Sequence, residues 1–255
     1  MTLPSDCDNA IIGAGPVGLF MANLLGLAGH RVVLLERREG LCPLPRAIAI
    51  DDEALRSLAQ VGLLDTVAPG MIPSPEVFFR NARGRVLIHM VGAPGITGQP
   101  KLATFHQPTF EAQLLEGARR FRNVTLVFRA TVTDTKQDAA GVTVRVETSS
   151  GVRKLRASYL VACEGGSSAT RERIGATLEG STYAQKWLVI DAIVPGHEVS
   201  AITFGCDPAR PSSRSRRKAT VSAGSFCNCP ASSGSRQDSA RSSCRSRRCV
   251  PPCAT

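Results

Sequence analysis

Between residues 6 and 165 the apolar positions switch repeatedly between strand and helix spacing. Residues 9–13 are a short continuous apolar run, which predicts a buried strand. A glycine-rich turn, Gly13 to Gly18, follows, and a helical pattern runs from Pro16 to about Ala28, where Gly29 stops it. Residues 31–36 predict a second buried strand. A β-α-β unit opened by a glycine turn is how a doubly wound α/β sheet begins. Residues 51–60 pattern as a helix whose first-turn acids sit at the positive end of the helix dipole. Residues 77–90 alternate as a hairpin turning at Asn81–Gly84, and the Gly/Pro-rich stretch 92–100 reads as a loop. Phe110, Leu114, Leu115, Ala118 and Phe121 share one face of a helix predicted over 108–121. Strands are predicted over 124–134, 141–148 and 155–163, the last running into Glu164-Gly165.

Composition changes this picture at one place. The chain has 255 residues and a net charge of +10, but residues 211–255 alone hold eight Arg, one Lys and a single acid, Asp238. The basic charge therefore belongs to the tail. The same segment carries 12 Ser and five Cys with no Leu or Ile. Such a composition buries too little surface to offset chain entropy, so disorder is expected there. No apolar run approaches the length of a membrane span, and Asp6 and Asp8 open the first strand where a signal peptide would carry a basic leader. A cytoplasmic protein without a membrane partner is expected.

Gly13-Ala14-Gly15-Pro16-Val17-Gly18 fits G-x-G-x-x-G in the context that gives the pattern meaning, after a strand and opening a helix. The first glycine permits the tight turn, and the second lets a pyrophosphate approach the backbone. The third lets helix and strand pack closely, while the helix N-terminus offers amide donors. Glu36 ends the second strand, where a carboxylate can accept from a ribose diol. Together these point to a dinucleotide site, without separating a flavin from a nicotinamide nucleotide.

The segments AIIGAGPVGLFMANLLGLAGHRVVLLERR, PRAIAIDDEALR, FHQPTFEAQLL and YLVACEGGSSATRERIG, with QKWLVIDA and FGCDPARP, occur in the order found in one family. On these the chain resembles the single-component flavin monooxygenases of the p-hydroxybenzoate hydroxylase type, above all the 3-(3-hydroxyphenyl)propionate hydroxylases. The resemblance implies a Rossmann-like FAD domain, residues 1–72 and 102–178, interrupted by β excursions at 73–101 and 179–210 toward an incomplete antiparallel substrate domain. It implies FAD as cofactor, NAD(P)H as co-substrate, and hydroxylation of a phenolic acid with O2. Gly13, Ala14, Gly15, Pro16 and Gly18 would hold the pyrophosphate, and Glu36 with Arg37 the adenosine end. Arg46 would lie near the pyrophosphate and the flavin ring, Gln107 would bond the linking chain, and Val132 would touch the adenine region. Glu164-Gly165 stands where the family has Asp-Gly, with a carboxylate one methylene longer. No catalytic acid or base is assigned.

Other readings stay open at single residues. Arg46 also fits a solvated loop arginine, Gln107 a cap of the 108–121 helix, Cys163 a small core residue and Trp187 a core aromatic. The four His lack metal-ligand spacing, and the tail cysteines lack the paired pattern of zinc ribbons, so no metal is expected. The family's Gly-Asp motif has no counterpart here. The resemblance stops at Pro211, where the composition changes, and a shift of reading frame accounts for both. The chain then reads as a truncated, impaired hydroxylase. The alternatives are an inactive dinucleotide-binding remnant or a nicotinamide-dependent oxidoreductase. Nucleic-acid binding through the Ser/Arg tail is disfavoured, and oligomeric state has no sequence signal.

Overall fold

The protein is described here from a computed structural model, which describes residues 3–181, 186–192, 201–217 and 220–227. In chain order its first half runs β1 Asp6–Ile12, α1 Pro16–Leu27, β2 Val32–Glu36, β3 Ala49–Asp51, α2 Asp52–Gln60, α3 Leu64–Val67, β4 Ile72–Pro73, β5 Val77–Asn81, β6 Val86–Met90, β7 Leu102–Thr104 and α4 Gln107–Arg119. Then come β8 Val124–Phe128, β9 Thr131–Asp138, β10 Gly141–Thr148, β11 Gly151–Ala162, α5 Ala169–Arg173, β12 Lys186–Ala192, β13 Ile202–Cys206, β14 Ser212–Arg217 and β15 Thr220–Cys227.

The main sheet has the order β8-β2-β1-β11-β10-β9. Its first four strands are parallel, and β11, β10 and β9 pair antiparallel. The end of β1, Ala10–Ile12, and Val32–Leu35 of β2 are continuously apolar because both faces of the sheet are covered there. Ile11, Val32 and Leu34 meet Leu19 of α1 and Leu114 of α4, while Ala10, Val33 and Leu35 face Val144 and Leu155 of the antiparallel extension. Helices α1 and α4 are tied by the buried Asn23, whose Nδ2 donates to the carbonyls of Leu19 and Leu114 at 2.9 and 2.8 Å. Gly117 makes the approach possible, since a Cβ there would lie 2.7 Å from Asn23 Oδ1.

The α/β, doubly wound reading of the sequence holds, with two corrections. The strand expected over 124–134 is two strands, broken at Arg129, which adopts a positive φ of 56°. Its amide donates to the Arg38 carbonyl and its guanidinium pairs with Glu39 at 2.6 Å, contacts that hold the kink and that alternation along the chain cannot report. The second correction concerns the tail. Disorder was expected from residue 211 onward, but β14 and β15 join a second sheet of order β12-β15-β14-β13-β5-β6. The average over the tail concealed a local β-favouring run, Thr220-Val221 to Phe226, and β14 adds to the free edge of β13 by backbone bonds that need no apolar side chain. Residues 228–255, and the side chain of Trp187, lie outside the described residues.

The 77–90 hairpin forms as β5 and β6 and belongs to this second sheet, where β5 pairs parallel with β13. A small third sheet, β3-β7-β4, stands at the points where the chain leaves the main sheet and returns to it.

Candidate dinucleotide cleft

The carboxyl ends of β1, β2 and β11 come together at one edge of the main sheet, the place where open α/β sheets carry their ligands. Gly13 turns the chain there at φ 102°, donating to the Leu35 carbonyl at 2.8 Å. A Cβ at Gly13 would stand 2.5 Å from the Cys163 carbonyl oxygen, and one at Gly18 only 1.9 Å from the Gly13 carbonyl oxygen. These two glycines serve backbone packing. Gly15 differs, since a Cβ on it would meet nothing within 4 Å. It is the N-cap of α1, no side chain caps that helix, and Pro16 occupies its first turn. The positive end of the helix is therefore presented to open space through a residue without a side chain.

That space is a cleft of about 610 Å3, within the range of small-molecule sites. Its walls include Gly13, Ala14, Gly15, Pro16, Glu36, Arg37, Arg46, Gln107, Val132, Glu164 and Gly165. The structure thus brings together every residue that the sequence singled out except Gly18, which lies buried behind the turn. Glu36 reaches across the mouth of β1. Its Oε2 accepts from the Ala14 amide at 2.8 Å and its Oε1 from the Arg38 amide at 3.0 Å, and each oxygen keeps a further lone pair for a ligand hydroxyl.

Glu164 is turned toward α5. Its Oε2 accepts from Ser168 Oγ at 2.7 Å and from the Thr170 amide at 3.1 Å. Burial pushes its carboxyl up, but the bonds from Thr170 and Ser168 and the Arg173 charge outweigh that and hold it below the ordinary range. Gly165, at φ 83°, leaves its flank open to the cleft. Cys163 is half-buried on the same wall, and burial, with the Glu164 charge, pushes its thiol up.

Gln107 is not a helix cap, because it is the first residue of α4 and His106 is the N-cap. Its Oε1 accepts from the amides of Arg46 and Ala47, both at 2.6 Å, and its Nε2 donates to Glu111 Oε1, also at 2.6 Å. Glu111 is the cleft residue the sequence reading missed. It is 1% exposed, and burial pushes its carboxyl pKa up against the lowering effect of the Gln107 bond. The signal was present: Gln107, Glu111, Leu114 and Ala118 lie on one stripe of α4, and an acid within an apolar stripe marks a buried partner. Arg46 itself is an exposed residue on the cleft wall, consistent with either reading of it. Arg37, Arg38 and Arg46 line the cleft together with Glu36, Glu111 and Glu164, so it carries both signs of charge. Among the described residues no group of His, Cys, Asp and Glu is placed to hold a metal, and no helix is long and apolar enough to cross a membrane.

Residues 6–239 match the FAD binding domain family. The match runs past Pro211, where the sequence reading placed the end of the resemblance. The chain is 40% identical over 213 residues to the 3-(3-hydroxyphenyl)propionate/3-hydroxycinnamic acid hydroxylase of Mycolicibacterium smegmatis, covering 83% of this chain and 38% of that one. To the protein of the same name from Escherichia coli O157:H7 it is 39% identical over 203 residues, 79% and 37% of the two chains. It therefore spans less than two-fifths of these relatives' length. Among solved structures, p-nitrophenol 4-monooxygenase from Pseudomonas putida DLL-E4 superposes with a TM-score of 0.80 at 26% identity, over 87% of this chain and 58% of that one. The flavin-dependent monooxygenase PieE, solved with FAD and substrate, shares the fold with a TM-score of 0.78 at 20% identity, over 92% and 45%.

Proposed function

The chain belongs to the FAD binding domain family, and on that premise we propose that its cleft holds FAD for the NAD(P)H- and O2-dependent hydroxylation of an aromatic acid of the 3-(3-hydroxyphenyl)propionate class. The observation that carries the reading is the open flank of Gly15 at the uncapped N-terminus of α1, with Glu36 beside it. A pyrophosphate fits against that backbone, where the first-turn amides and the helix dipole favour negative charge. The Glu36 carboxylate accepts from the adenosine ribose diol, next to Arg37, and Val132 closes over the adenine. Arg46 stands toward the flavin ring, Gln107 acts through the Arg46 and Ala47 amides it holds instead of bonding the linking chain itself, and Gly165 gives that chain a flank without a side chain. When bound, FAD supplies the redox chemistry that uses NAD(P)H and O2. The residues of this chain bind and orient it.

The purified chain, titrated with FAD and followed by quenching of flavin fluorescence, is expected to take up one FAD, with Glu36→Ala weakening uptake by about tenfold or more through a lost charged acceptor. Saturation with NAD+ but not FAD would favour a nicotinamide dehydrogenase and overturn the flavin reading. NAD(P)H oxidation by the loaded protein is expected to rise on adding 3-(3-hydroxyphenyl)propionate, and indifference to that compound would remove the substrate assignment alone.

A further inference from the structure

Gln107 can clamp a loop only if both ends of its amide are satisfied. Its oxygen gathers the amides of Arg46 and Ala47, the segment that leads from the cleft rim into β3. Its nitrogen is sealed from water, the residue being 3% exposed, and the Glu111 carboxylate takes it as an acceptor from one turn further along α4. The orientation is unambiguous, since reversing the amide would set an NH2 group against two backbone donors and an oxygen against a carboxylate. Without Glu111 the Gln107 nitrogen would be a buried donor with no acceptor, and the side chain would gain by turning away and releasing both loop amides.

We infer that Glu111 is a positioning residue: by fixing Gln107 it clamps residues 46–47 against α4, and so sets how tightly the cleft holds FAD without itself carrying the cofactor. The inference rests on the FAD reading for its consequence, but the clamp stands on the protein alone. Burial and the Glu36 charge push the Glu111 carboxyl up while the Gln107 bond, Arg46 and Arg38 favour its ionised form, and in either form it offers Gln107 an oxygen that accepts.

Amide hydrogen exchange on the cofactor-free chain tests the clamp, and FAD titration tests its consequence. Glu111→Leu fills the site but removes the acceptor, whereas Glu111→Gln keeps the shape and an amide oxygen that can still accept. In Glu111→Leu the Arg46 and Ala47 amides should exchange about tenfold faster, with the core strand amides of Leu34 and Leu35 unchanged, and FAD should bind about tenfold more weakly. Glu111→Gln should restore most of both. Unchanged protection at Arg46 and Ala47 in Glu111→Leu would overturn the clamp. So would faster exchange that includes Leu34 and Leu35 and is not restored by Glu111→Gln, which would make Glu111 merely part of the core. If the parent chain takes up no FAD, the flavin reading fails, and the exchange measurements still decide the clamp.

Discussion

Two glycines of the turn, Gly18 and Gly15, should separate cleanly when each receives a methyl group, because they meet different surroundings. At Gly18 a Cβ would lie 1.9 Å from the Gly13 carbonyl oxygen, far inside the 3.4 Å at which ordinary contact begins. The obstacle is backbone in the tightest part of the β1–α1 crossing, so α1 must move as a body. Overpacking of a rigid site costs about 1–3 kcal/mol, and this collision belongs at the upper end. Alanine recovers about 1 kcal/mol of helix propensity, leaving a net loss of about 2 kcal/mol for Gly18→Ala. For a chain of this size that lowers Tm by roughly 4–8 °C. At Gly15 the backbone is extended, φ −77° and ψ −178°, and the new methyl meets no atom within 4 Å. Gly15→Ala should therefore leave stability within about 1 kcal/mol, the net of weaker capping and lower unfolded-state entropy. It should still weaken FAD binding by about tenfold or more, near 1.4 kcal/mol, because the methyl occupies the phosphate approach. Urea unfolding of the FAD-free variants followed by circular dichroism, beside flavin-fluorescence titration, measures both quantities. A Gly18→Ala protein as stable as its parent, or a Gly15→Ala protein as destabilised as Gly18→Ala, would refute the reasoning.

Two further outcomes follow from the charges. The Arg156 guanidinium, bonded to Asp138 at 2.6 and 2.8 Å across the β9–β10 turn, and the Ala140 amide hold the Asp138 carboxyl at about 2. A carboxyl carbon NMR titration should find it there, with Arg156→Leu returning it toward 3.8, and the stabilisation it gives is complete above 3.8 and lost as pH falls through about 2. An Asp138 that titrates near 3.8 in the parent chain would remove the pairing. Glu164 is likewise held below its ordinary value, by its bonds to Thr170 and Ser168 against the opposing effect of burial, so its contribution is present above 4.5 and disappears as pH falls through the folded value. Glu164→Gln keeps an oxygen that can accept but removes the charge, and should cost roughly 1 kcal/mol at pH 7, the scale of a carboxylate at a helix N-terminus, and progressively less in acid. A gap between the two proteins that is independent of pH would point to shape instead of charge.

What the sequence could say about the cleft depended on how local each signal was. The turn from Gly13 to Gly18 and the acid at Glu36 are read from adjacent elements, β1, α1 and β2, and the requirements they meet are backbone requirements that leave few residue choices. The kink at Arg129 depends on Arg38 and Glu39, some 90 residues earlier in the chain, and strand alternation runs through it without a mark. The β14–β15 pairing has the same origin, since the partner edge supplied by β13 matters more than side chains that average as a disordered segment.

Glu111 lies between these cases, and it shows how the site is built. Its spacing from Gln107 on α4 is local and legible, but its role becomes visible only when the β2–β3 connection is laid against that helix. The glycine-turn side of the cleft is made of backbone that cannot adjust: Gly13, Gly18 and Cys163 fit together with no space for a methyl group. The opposite wall is held by side chains, through a glutamine whose two ends answer to a loop and to a buried acid. A cofactor anchored on the first wall has fixed geometry, and how firmly the second wall closes on it is open to adjustment by single substitutions. Changes at Gly18 should therefore act on folding and binding together, whereas changes at Glu111 should act first on the 46–47 segment and on affinity.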